Sequence, residues 1–457
     1  MVTRLINADF RKNKCYFGIS VLLTMSLGAL AQSESARVAV ASAAGNSSEN
    51  APLTLTLQDA LERAKKNQPE YRAAITEYGV AREDRVQSRA GLLPNVSYNA
   101  GMFYTQGNGT ATGRFIANNG VHEYISQGSV HQSLSLENVA AYRRSVALEA
   151  QARARTEIAA RGLVLTVVEA YYGLVVAQQK YETAERASGE AQRFLDISQK
   201  LERGGEAAHS DVIKAEIQMQ QQLRDQQEAQ LEMERSRLEL AVLIFPDFNE
   251  NFSVVDDLQT PEPLPSLAEA QAAAANKNPE LREALAVLQA ANQEVAAAWN
   301  GFLPSLGLDY FYGIDANQFA TETPGGIHNL GYAAAATLQL PVWNWGANRA
   351  RLKQADLRRE QARVELSFTQ RRQLANLRAF YGEAETARSE LESLDHSAQL
   401  AAESLRLTTL RYQAGEVSVL EVVDAQNTRT QARNAFATGQ ARYRVALARL
   451  QTLTGNF

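Results

Sequence analysis

The stretch "QPEYRAAITEYGVAREDRVQSRAGLLP", ending at Pro94, returns as "NPELREALAVLQAANQEVAAAWNGFLP", ending at Pro304, in register and without a gap. Pro69 and Pro279, Glu70 and Glu280, Arg72 and Arg282, and Gly91 and Gly301 all stand 210 residues apart. In a chain of 457 residues that spacing allows two copies of one large unit, and neither copy needs to be stable alone. The repeat therefore limits the fold to something built twice. The net charge is a modest −5, and no Lys/Arg block follows the leader, which argues against a nucleic-acid partner.

Residues 1–31 read as a signal peptide. Arg4, Arg11, Lys12 and Lys14 precede the apolar run "YFGISVLLTMSLGALA", and Ala29-Leu30-Ala31 has the small-x-small form of a cleavage site. Cleavage removes four basic residues and Asp9, taking the charge to −8, and also removes Cys15, the only cysteine. No disulfide or thiolate ligand is then expected in the exported chain. Residues 32–53, rich in Ser, Ala and Asn, read as a flexible lead-in.

Each copy, 54–246 and 265–457, opens with a short amphipathic helix stopped by Pro69 or Pro279, and a second helix ends at "AGLLP" or "NGFLP". The period then changes to two. Val96, Tyr98, Ala100, Met102 and Tyr104 alternate with Ser97, Asn99, Gly101 and Phe103; Leu306, Leu308, Tyr310 and Tyr312 alternate with Gly307, Asp309 and Phe311. A β-hairpin is expected at about 94–136 and another at about 304–340, with strands long enough to cross a bilayer when tilted, although a soluble sheet would show the same alternation. Proline-free helices follow, about 139–202 and 347–413, each roughly 90 Å long at 1.5 Å per residue. Leu391, Leu394, Ala398, Ala401, Leu405, Thr408 and Tyr412 are spaced 3 and 4 alternately, a coiled-coil seam. Glycine turns at Gly205 and Gly415 lead to return helices ending near 243 and 453, and a Pro-rich linker, 247–264, joins the copies. Two hairpins supply four strands, too few to close a barrel, so a membrane-spanning sheet requires several chains.

This order, together with "LLPNVSY", "FLPSLGLDYFYG", "LQLPVWNWG" and "LRYQAGEVSVLEVVDAQ", resembles the TolC-like outer-membrane efflux proteins. The resemblance implies a mainly α fold with a membrane β-barrel contribution. It implies a homotrimer whose twelve-stranded barrel is continued by a coiled-coil α-barrel through the periplasm. The implied partners are outer-membrane lipid, a periplasmic adaptor, and an inner-membrane RND pump or ABC exporter. The function it implies is a passive, tip-gated exit duct for efflux or type I secretion, not an enzyme. By resemblance Tyr412, Asp211 and Ser210 form the periplasmic gate at the turns of Gly205 and Gly415. Glu421 and Asp424 form an acidic ring at the entrance. Two departures stand out: Val417 replaces the family arginine of the latch, and "LSLENVAAY" stands in the first copy where the second has a Gly-containing turn. No cofactor is implied. His122, His131, His209, His328 and His396 are scattered without metal-ligand spacing. Trp343 and Trp345, with Tyr310 and Tyr312, suit an interfacial aromatic belt or ordinary packing between strand and helix. Long antiparallel helices alone would also serve a periplasmic scaffold without a pore.

Overall fold

The computed structural model describes residues 53–104, 122–247, 251–259, 262–323 and 325–455. The leader, residues 32–52 of the lead-in and the first hairpin loop lie outside them.

The chain is mostly helical, and its second half repeats the element order of the first. α1 (Leu57–Asn67) and α2 (Pro69–Ala90) lead into strands β2 (Asn95–Tyr104) and β3 (His122–Leu134), then α3 (Leu136–Arg203) and α4 (His209–Ile244). In the second half α5 (Leu267–Lys277), α6 (Pro279–Asn300), β5 (Ser305–Ala316), β6 (Leu330–Gln339), α7 (Ala347–Gln413) and α8 (Val419–Thr454) follow in that order. Local chemistry sets the boundaries. Thr56 and Ser266 each close a capping box, with Asp59 and Glu269 reaching back to the cap backbone. These hydrogen bonds hold both carboxyls below their ordinary range. Pro69 and Pro279 occupy the first helical position, where a missing N–H costs nothing.

The two long helices begin differently. The Ser135 side chain accepts from the Asn138 N–H at 3.1 Å, so α3 starts one residue after β3 ends, earlier than the sequence suggests. Before α7 the chain takes a seven-residue detour, 340–346, with Trp345 at φ 54° and Gly346 at φ 82°. At 68 residues α3 is about 100 Å long. The expected seam residues of α7 are the ones turned inward, with Ala401, Leu405 and Tyr412 buried. Gly439 of α8 forms a notch against Leu394 that a Cβ would close to 2.5 Å. Side by side, α3 packs on both α4 and α8, and α8 packs on α7.

The main core lies midway along α3. Among the described residues α3 is the one helix long and apolar enough to cross a membrane by composition. Its Val167, Val168, Tyr171, Leu174 and Val175 are instead buried against Ala60 and Ala64 of α1, Leu240 and Ile244 of α4, and Ala448 of α8. Two elements too short to read from sequence complete this belt. β1 (Leu53–Leu55) pairs in parallel with β4 (Phe252–Val254), which lies inside the segment read as a linker. The Tyr171 hydroxyl donates to the carbonyls of Leu55 (3.2 Å) and Val255 (2.8 Å). Burial, reinforced by Asp257, pushes its pKa up to about 12. The joining segment is strapped down by Arg444 of α8, only 7% exposed, which bonds the Asp257 carbonyl at 2.8 Å and the Glu262 carboxylate at 2.9 Å. Tyr443 beside it donates to the Glu262 carbonyl.

Candidate functional site

The four long strands form one antiparallel sheet in the order β2-β3-β5-β6, so the two hairpins join through β3 and β5. Directly opposed residues share a face. One face therefore carries Val96, Met102, Val130, Leu308, Tyr310 and Leu338, continued by Tyr312 opposite Tyr332. The other carries Ser97, Asn99, Gln127, Ser129, His131, Asp309 and Thr337, with Phe103, Ile125 and Phe311 as large apolar exceptions.

The polar face is tied internally. Ser97 and Ser129 share a 2.7 Å hydrogen bond, Asn99 donates to Ser129 at 3.1 Å, and His131 Nδ1 meets Asp309 Oδ1 at 2.6 Å across the junction of the hairpins. Gly313 is required there, because a side chain would run into the backbone of Ser126 and Gln127. Among the described residues nothing lies over the apolar face: Val96, Met102, Tyr332 and Leu338 are each at least 70% exposed. Among the described residues β2 and β6 each pair on one side only. An uncovered apolar face, a polar opposite face and two open edges are what a sheet presents when lipid covers one side and further strands continue it.

At the far end of the long helices both turns use the same device. Gly205 (φ +79°) and Gly415 (φ +73°) adopt the left-handed conformation, and the next N–H reaches back to Leu201 O (2.8 Å) or Arg411 O (2.9 Å), as in a Schellman motif. Around Gly415 the chemistry is apolar. Tyr412 is buried with Phe194, Leu195, Val212, Leu405, Val419 and Val422. Its ring lies 5.0 Å from that of Phe194, and its hydroxyl donates to Ser198 Oγ at 3.2 Å. Phe194 and Ser198 stand on α3, eleven and seven residues before Gly205; their heptad-like placement was the available signal, and sequence reading passed over both.

Asp211 and Ser210 lie one turn into the neighbouring hairpin. Ser210 is exposed, and Asp211 pairs with Lys214 at 3.3 Å, so within one chain Tyr412 bonds Ser198 and neither of these. Glu421 and Asp424 are both exposed on α8. Glu421 Oε1 also accepts from the Ser418 N–H (3.3 Å) and hydroxyl (3.4 Å), capping the helix, which leaves Asp424 the less committed carboxylate. Around Gly205 the contact is polar instead: His209 Nδ1 meets Glu202 Oε1 at 2.7 Å on the surface.

A family model described as outer membrane efflux protein matches residues 60–244 and 271–456, most of both halves. The chain belongs to the outer membrane efflux protein family. It is 27% identical to the alkaline protease secretion protein AprF of Pseudomonas aeruginosa, across 88% of this chain and 84% of that one. It is 23% identical to the outer membrane protein TolC of Vibrio cholerae, across 87% and 90%. Its fold matches that of the Campylobacter jejuni CmeC outer membrane channel with a TM-score of 0.76 at 19% identity, covering 87% of this chain and 85% of that one. As a member of the family this protein is an exit duct for efflux or secretion, seated in the outer membrane and extending into the periplasm.

Proposed function

We propose that three copies pool their strands into a closed twelve-stranded barrel, and that their paired helices continue it as a tube across the periplasm. Two repeats in each of three chains would place six similar units about one axis. The observation that carries this reading is the four-stranded sheet, apolar and uncovered on one face, polar on the other, and open at both edges. A periplasmic scaffold has no use for such a sheet. The exposed apolar residues on the outer helices support the same assembly: Ile217, Leu231 and Val242 of α4, and Leu357, Val364 and Phe368 of α7 are where neighbouring copies would pack.

Such a duct is passive. A periplasmic adaptor would connect it to an inner-membrane RND pump or ABC exporter, which supplies the energy. Similarity to a protease secretion protein along 88% of the chain supports an exported polypeptide as cargo. The gate lies at the turns of Gly205 and Gly415, with Tyr412 holding the inner hairpin shut and Asp211 and Ser210 of the outer hairpin facing the adjoining copy. Because Val417 stands where a latch arginine would, closure rests on the apolar cluster around Tyr412 more than on charge. Glu421 and Asp424 from three copies would line the entrance with six carboxylates, favouring cations and trapping multivalent ones.

Reconstitution of the purified protein in planar bilayers, with its mass measured in parallel, tests the reading. A trimer with cation-selective conductance that a trivalent cation blocks from the periplasmic side is the expected result. A monomer without conductance would sink it. A Glu421→Ala/Asp424→Ala trimer blocked as tightly as the parent would remove these two residues from the entrance while leaving the duct intact.

A further inference from the structure

Between β6 and α7 the chain carries an exposed aromatic pair that none of the described residues covers. Trp343 is 75% and Trp345 89% exposed, and their rings meet edge to face at 5.8 Å. Leu338, Leu340 and Val342, all exposed, run straight into the pair from the apolar face of the sheet. Farther along that face Tyr310, midway along β5, stacks on Tyr332 near the start of β6 at 6.3 Å. Tyr332 and Trp343 lie eleven residues apart, about the length of a strand that crosses a bilayer. The indoles therefore stand at the periplasmic rim of the apolar band.

Directly after them come Arg349, Arg351 and Lys353, all exposed. None makes an ion pair among the described residues. The first carboxylate of α7, Asp356, is already held by Arg359 at 2.8 Å. Cations this close to a helix start oppose its macrodipole, so folding of α7 gives no reason for them. The segment is also held in place, because the Asn348 side chain donates to the Gly301 carbonyl at 2.7 Å. The corresponding junction of the first half lacks the tryptophans and most of the cations: Ser135 alone separates β3 from α3, the first turn of α3 carries Glu137, and only Arg143 matches a cation of the second half, Lys353.

We propose that Trp343, Trp345, Arg349 and Lys353 form a binding site for an anionic glycerophospholipid of the periplasmic leaflet. The indoles lie at the level of the glycerol backbone. Arg349 and Lys353, at i and i+4 on one helix face, take the headgroup phosphate. The site rests on the membrane-spanning reading of the sheet. It would occur once per chain, three times around the duct, and only at the second β-to-α junction.

Tryptophan quenching tests it, because Trp299 is the only other tryptophan in the chain and Trp299→Phe isolates the pair. The full-length Trp299→Phe trimer is placed in vesicles of phosphatidylcholine containing a small fraction of phosphatidylglycerol. Dibrominated acyl chains are carried by one lipid or the other. Quenching by brominated phosphatidylglycerol is expected to show about tenfold enrichment over its bulk fraction. Arg349→Gln/Lys353→Gln should abolish the enrichment while leaving quenching by phosphatidylcholine and the trimer mass unchanged. Quenching by brominated phosphatidylglycerol no greater than its bulk fraction accounts for, in the parent protein, would overturn the headgroup site. No quenching by either, in a protein that conducts, would show that an adjoining copy covers the tryptophans, which overturns the site without touching the duct. Failure to insert or conduct at all would overturn both readings.

Discussion

At the turn between α3 and α4, Glu202 and His209 meet on the surface; at the turn between α7 and α8, the positions 210 residues later hold Tyr412 and Val419, 5% and 1% exposed. The backbones are alike, each closed by a left-handed glycine at the same place. The difference comes from the neighbours. α8 lies between α3 and α7, so its turn packs against Phe194 and Ser198 of the other half. α4 lies at an edge of the helical layer: its Val212 joins the cluster around Tyr412, but Glu202 and His209 at its turn stay on the surface. The two turns thus share a backbone and differ in their side chains according to how much of each flank is buried within the chain.

The strongest way to break this contrast is truncation at equivalent places. Tyr412→Ala should cost about 3–5 kcal/mol of local stability, since it empties a packed aromatic site. Faster hydrogen exchange over residues 405–425 and a higher channel conductance are the expected readouts. His209→Ala removes a largely exposed contact and should cost no more than about 1 kcal/mol, with conductance unchanged. Equal effects at the two turns would mean that burial of Tyr412 does not distinguish them.

A second asymmetry lies at the core belt. Arg444→Ala leaves Asp257 and Glu262 without their buried partner. The loss should be about 2 kcal/mol, below the usual cost of breaking a buried pair because both carboxylates are about half exposed. Its counterpart Glu234, on the surface of α4, should tolerate Ala within about 0.5 kcal/mol. Thermal denaturation of the two variants side by side decides it.

Tyr412→Phe sharpens the first contrast, because it keeps the ring against Phe194 and removes only the donor to Ser198. A loss of about 0.5–1.5 kcal/mol and a smaller rise in conductance than in Tyr412→Ala are expected. If the two variants leak equally, the hydrogen bond and not the packing holds the turn. Where the halves agree, the effects should agree: Thr56→Ala and Ser266→Ala should each cost about 1 kcal/mol. Asp59 and Glu269 have depressed pKa values in the folded chain, so their contribution is complete above the ordinary carboxylate range and is lost as pH falls through the depressed values. Acid titration of the parent and the two cap variants should then show the same small low-pH loss missing from each variant. Tyr171 has the opposite sense: its raised pKa holds stability below pH 10 that is lost as pH climbs toward 12.

Much of the architecture was legible because its signals are local. Pro69 and Pro279 start helices, Gly205 and Gly415 reverse them, and alternation from Val96 and from Leu306 marks strands. Each depends on backbone geometry or side-chain period within a few residues. The 210-residue register carried these signals through both halves, and the seam ending at Tyr412 pointed to its buried face. The candidate gate was legible only as positions. Sequence placed Tyr412 beside a turn, but the partner that accepts its hydrogen bond, Ser198, comes from a helix more than two hundred residues earlier. The β1–β4 pair, three residues on each side, is too short to show a period, and only its place between α1 and α3 makes it a pair. Arg444 reads as one more charged residue on a helix until the joining segment lies across it. By itself, then, the sequence determined what each segment becomes and that the plan is written twice. The tertiary structure decided which flank of each copy is inside and which is at the border, because burial and partner choice depend on elements far apart in the chain being brought side by side.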